Sequence, residues 1–123
     1  NMSKWRPSQL KSFYYAFSGF LHNLKYESNF RIQFIIGILV LLAGFYFSLS
    51  RVEWLIILLT IAAVWSAELV NTSIELICDK ILAEEDHLIK IIKDSSAAAV
   101  LITSIIAVIV GVIIFLPYVI DLL

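Results

Sequence analysis

Residues Trp54–Lys80 read WLIILLTIAAVWSAELVNTSIELICDK. The opening part, Trp54–Ser66, carries no charge, yet Glu68, Asn71, Glu75 and Asp79 follow in quick succession. Their spacings of three, four and four residues put all four side chains on roughly one face of a helix. A run long and apolar enough to cross a bilayer therefore ends in a polar ridge. A charge at the centre of a membrane helix costs about 2.5–3.5 kcal/mol on insertion scales. Glu75 and Asp79 lie near the end of the run and cost less. Glu68 lies about three turns inside and carries most of the penalty. Nothing on this helix compensates it, so Glu68 is either protonated or facing a wet polar cleft.

The whole chain fits that reading. Its 123 residues are 61% hydrophobic and 15% charged, against about 45–50% and about 25% in soluble domains. The length suits one domain. The net charge is −1 and no basic tract is present, so nothing suggests a nucleic-acid partner and none is expected. A lone cysteine, Cys78, reads as a small apolar residue on a helix.

Two further runs match the length of a bilayer crossing, about 20 residues. One is 32–49, IQFIIGILVLLAGFYFSL, and the other is 97–116, AAAVLITSIIAVIVGVIIFL, closed by Pro117. With 54–77 they give an all-α membrane protein of three transmembrane helices. The first link is the tetrapeptide SRVE, Ser50–Glu53, and the second is the polar stretch 79–96. Ahead of the first span, 8–27 repeats Leu10, Phe13, Tyr14, Phe17, Phe20, Leu21 and Leu24 at helical spacing, with Lys11, Ser12, Ser18, Asn23 and Lys25 opposite. That pattern predicts an amphipathic helix lying in the membrane interface, started at Pro7-Ser8. Ala99, Thr103, Ala107 and Gly111 form a small-residue ridge suited to close helix packing.

Lysine and arginine set the orientation. Lys4, Arg6, Lys11, Lys25 and Arg31 precede or open the first span, and Lys80, Lys90 and Lys93 occupy the second link. Three spans put both regions on one face, which is expected to be cytoplasmic. Trp5 and Trp54 fall near the expected interfaces.

On that face several groups converge at one depth. Glu27 opens the first span, Glu75 closes the second, and Lys93 and Asp94 stand at the foot of the third. Two glutamates make a hard oxygen site suited to Mg²⁺, which takes one or two carboxylates and completes its shell with phosphates and water. Lys93 suits those phosphates as a point charge. Glu68, deeper among apolar neighbours, suits a general base. The four glycines are scattered and form neither GxxxxGK nor GxGxxG, so bound ATP would be held by metal and side chains. A small proton-coupled transporter would also carry an intramembrane glutamate. It would not need Glu27, Lys93 and Asp94 at one interface. A structural partner using the ridge for assembly would bind no nucleotide.

The stretches ESNFRIQF (Glu27–Phe34), AELVNTSIELICDK (Ala67–Lys80) and KDSSAAAVLI (from Lys93) resemble the prokaryotic integral-membrane diacylglycerol kinase family. The resemblance implies a homotrimer of three-span subunits, each with a surface helix, that moves the γ-phosphate of ATP to a lipid hydroxyl at the cell membrane. It implies Glu68 as proton acceptor and lipid contact, Asn71 beside it, and Glu27 and Glu75 as metal and ATP contacts. Tyr15, Lys93 and Asp94 are implied nucleotide contacts, as are Glu84, Glu85 and Asp86, where EEDH departs from the family pattern. Ala97 is implied to touch the lipid. VEWLIILL (Val52–Leu59) and FLP (Phe115–Pro117) are similar to the Gram-positive undecaprenol kinase branch. Undecaprenol is therefore the expected alcohol, with diacylglycerol the alternative.

Overall fold

A computed structural model describes residues 8–82 and 86–123, and these fold almost wholly into helix. Ser8 caps α1, Gln9–Tyr26, by accepting from the Lys11 amide. Glu27 ends α1 in extended conformation and opens α2, Ser28–Phe47. α3 spans Arg51–Leu76, continues as a π-helical turn over Ile77–Ile81, and is followed by α4, His87–Leu122. α2, α3 with its π turn, and α4 are each long and apolar enough to cross a membrane.

Three boundaries differ from those read in the sequence. SRVE is the start of α3 rather than a link. The Ser50 side chain accepts from the Glu53 amide and Glu53 accepts from the Ser50 amide, a reciprocal capping box. The turn between α2 and α3 shrinks to Ser48–Ser50, with Ser48 in the left-handed region at φ 56°. The stretch 87–96, expected as polar link, is helix: Asp86 caps it through the Ile89 amide. Pro117 does not close α4, which runs on to Leu122. Proline inside a helix removes one backbone bond. Here the next residue, Tyr118, is anchored elsewhere: its hydroxyl bonds to Glu53 and its ring packs on Phe47.

α3 packs against α4 along much of its length and against α2 beside it. Away from α1, the core is Leu49, Ile57 and Ile114, wrapped by Val40, Trp54, Ile61, Val110, Phe115 and Tyr118. Near α1 the core is aromatic. Phe30 is fully buried, with ring centroids 5.2 Å from Phe20 and 6.4 Å from Trp65. Trp65 also donates its indole N–H to the Gln33 carbonyl at 3.0 Å. The Trp65 ring fills the space a side chain at position 37 would need: a Cβ on Gly37 would stand 2.6 Å from it. The ridge around Gly111 behaves differently. A Cβ there would meet nothing within 4 Å, because Ala107 and Gly111 border an apolar cavity of about 560 Å³ between α2, α3 and α4. Most large apolar side chains, Leu39, Leu59 and Val108 among them, point outward, as suits a hydrocarbon surrounding.

Candidate active site

The polar ridge on α3 turns inward. Glu68 is 3% exposed and Asn71 6%, with Thr72 buried beside them and Glu75 half-buried. Two other carboxylates, Glu75 and Glu27, lie within electrostatic range of Glu68. The structure thus gathers Glu27, Glu68 and Glu75 from α3 and the α1–α2 corner. Among the described residues no hydrogen-bond donor reaches the Glu68 carboxylate, while its neighbours are tied: Asn71 Nδ2 donates to Glu75 Oε1 at 3.1 Å. Asn71 Oδ1 accepts in turn from Ser96 Oγ on α4 at 2.8 Å.

Glu27 is placed by its backbone. Its amide closes α1 on the Asn23 carbonyl, and its carbonyl accepts from the Arg31 amide. Its side chain makes no capping bond, so the carboxylate is not engaged at the helix end. Arg31 fixes this corner. Its guanidinium donates to the Leu24 and Lys25 carbonyls at 3.0 and 2.8 Å, satisfying the open end of α1. In the sequence, Arg31 reads as part of the basic face and as a neighbour of Glu27 at the start of the first span, with no sign of this capping role.

The ridge does not extend unbroken to Asp79. The π turn carries Asp79 to an exposed position, where it pairs with Lys93 at 2.7 Å. Asp94 pairs with Lys90 at 2.6 Å on the surface of α4. Lys93 and Ser96, three residues apart, therefore button α4 onto α3 and its π turn on both sides of Glu75.

Other expected positions stand apart. Tyr15 is exposed on α1, its ring against Tyr14. Ala97 is exposed next to Ser96. Asp86 serves as the α4 cap. Glu84 and Glu85 lie outside the described residues, as does Trp5. Ser96 was missed in the sequence. The available signal was its place one turn after Lys93, on the same helical face.

A metal is implied by the expected chemistry, and the donor set fits Mg²⁺. Among the described residues no three His, Cys, Asp or Glu side chains form a cage. Mg²⁺ needs only one or two carboxylates where phosphates and water complete its shell. Glu75 has one oxygen engaged by Asn71 and a second free of that bond.

Fold and site together define a small multi-pass membrane protein with Glu27, Glu68 and Glu75 near one end of its helical bundle. The chain belongs to the prokaryotic diacylglycerol kinase family, whose pattern matches residues 14–115. It is 40% identical to an undecaprenol kinase of Bacillus subtilis (strain 168) over 107 residues, covering 87% of each chain. It is 36% identical to a diacylglycerol kinase of Synechocystis sp. over 118 residues, covering 95% of this chain and 67% of that one.

Proposed function

We propose that this protein is a lipid kinase that transfers the γ-phosphate of ATP to the hydroxyl of undecaprenol, giving undecaprenyl phosphate. The observation that carries the reading is the buried Glu68 carboxylate, free of protein donors among the described residues, with Glu27 and Glu75 acting on it. Family membership favours this over a proton-coupled transporter. The match to an undecaprenol kinase over 87% of both chains supports the polyprenyl alcohol over diacylglycerol.

Glu68 accepts the proton of the lipid hydroxyl as its oxygen attacks the γ-phosphorus and the bond to the ADP oxygen breaks. Glu27 and Glu75 would hold Mg²⁺, which would supply neutralisation of the phosphate charge. Asn71 keeps Glu75 in place beside the base. Lys93, shared with Asp79, presents its ammonium to the nucleotide, with Asp94, Tyr15 and the 84–86 stretch as further nucleotide contacts. Ala97 borders the lipid. No phosphoenzyme is needed, since positioning and electrostatics supply most of the catalysis in phosphoryl transfer.

The basic end faces the cytoplasm by the distribution of lysine and arginine. α1 lies in the interface, where exposed Leu10, Phe13 and Phe17 meet lipid. One three-span subunit has few helices with which to enclose a cleft, which favours an oligomer, and the family resemblance makes that oligomer a homotrimer. The deciding experiment offers labelled ATP to the protein in vesicles containing undecaprenol or diacylglycerol. Faster, Mg²⁺-dependent labelling of undecaprenol is expected. Preferential labelling of diacylglycerol would overturn the substrate, and no labelled lipid from either would overturn the kinase reading.

A further inference from the structure

A hydroxyl in the middle of a helix usually turns back on its own backbone one turn earlier. Thr60 donates to the Ile56 carbonyl at 2.7 Å, Ser73 to Leu69 at 3.0 Å, and Thr103 to Ala99 at 3.1 Å. Ser96 behaves otherwise. It is 9% exposed, and its hydroxyl crosses to another helix to reach Asn71 Oδ1.

The direction of this chain of bonds is dictated by chemistry. An ionised carboxylate only accepts, so Glu75 draws the NH₂ end of the Asn71 amide toward itself. That turns Oδ1 toward α4, where it needs a donor. Ser96 supplies one. Without it, Oδ1 would be an unpaired acceptor on a side chain only 6% exposed, an arrangement that buried polar groups rarely tolerate. Asn71 would then swing in search of a partner and release its hold on Glu75 Oε1. The Lys93–Asp79 pair one turn away keeps α4 in register for the Ser96 bond.

We propose that Ser96 is a positioning residue for the metal site: through Asn71 it fixes the Glu75 carboxylate so that one oxygen is engaged by the protein and the other is presented to the ion. The proposal rests on Glu75 being a metal ligand. It assigns Ser96 no contact with substrate.

The test is Mn²⁺ affinity, read by its EPR signal in the presence of a non-hydrolysable ATP analogue, together with the Mg²⁺ dependence of lipid phosphorylation. Ser96→Ala is expected to weaken Mn²⁺ binding and raise the Mg²⁺ midpoint about tenfold, the scale on which residues that orient metal ligands act. Turnover at saturating Mg²⁺ is largely kept. Ser96→Thr, which keeps the hydroxyl, and Ser95→Ala, next door and exposed, should match the parent. If alanine prevents folding, Ser96→Val against Ser96→Thr compares near-identical shapes with and without the hydroxyl. Unchanged metal affinity in Ser96→Ala, with Glu75→Gln weakened, overturns the proposal alone. Unchanged affinity in Glu75→Gln overturns both the proposal and the reading of Glu75. Loss of turnover at every Mg²⁺ concentration, with the midpoint unmoved, also overturns it.

Discussion

α3 carries glutamates toward both ends of the bundle, and two of them, Glu53 and Glu68, are treated in opposite ways. Glu53, at the start of the helix, is bonded to the protein: one oxygen takes the Ser50 amide and the Tyr118 hydroxyl together. It closes a helix end and anchors the last turns of α4. Glu68 is more deeply buried, yet no described donor reaches it, and two other carboxylates act on it. An acid at a helix terminus with its bonds made serves the architecture. One lacking a protein donor and standing beside other carboxylates is of the kind that clusters where chemistry is done.

The contrast breaks most sharply under amide substitution. Glu68→Gln should leave the protein folded and able to bind ATP while lowering lipid phosphorylation by roughly 10²–10⁴-fold, the usual contribution of a general base. Glu53→Gln should keep turnover near the parent level. Equal losses in the two variants, measured in the same vesicles, would erase the distinction between the ends. Next in size, Glu75→Gln should raise the Mg²⁺ needed for half-maximal turnover by about tenfold or more. A Mg²⁺ titration at fixed ATP reads this directly, and an unmoved curve removes Glu75 from the metal site.

Smaller effects test the packing beneath the site. Gly37→Ala must push the Trp65 ring away from its bond to Gln33, and overpacking of this kind costs about 1–3 kcal/mol. Gly111→Ala enters open space and should be near neutral. Thermal unfolding of both variants in one detergent should separate them, and identical midpoints would contradict the packing described. The smallest effect is expected at Tyr118→Phe. Glu53 keeps its bond to Ser50, so a slight loss of thermal stability should appear with turnover unchanged.

The three apolar runs and the inward ridge were legible because hydrophobic length and period-3.6 spacing are local properties of the chain. The start at Ser8 was legible for the same reason. Glu53 hid the capping box because a charge beside an apolar run reads as loop. Lys90, Lys93 and Asp94 hid the first turns of α4 in the same way, although Asp86 stands three residues before the amide it caps. Pro117 misled because a proline ends a helix only where the chain beyond it is free to leave. Here Tyr118 is held by Glu53, 65 residues away in the chain. The ends of the site, Arg31 on the α1 carbonyls and Ser96 on Asn71, depend on which helices meet, and no single segment encodes that.

The π turn after Glu75 has a consequence for how the gene can vary. Its backbone bonds span five residues, as from the Leu82 amide to the Ile77 carbonyl at 3.0 Å. Such a turn holds one residue more than the ordinary winding. Losing a single codon within 77–81 lets the turn relax to normal pitch, disturbing Asp79 but leaving the upstream acids where they are. The same loss between Glu68 and Glu75 rotates one against the other by about 100°, so the two acids tolerate no change of length between them.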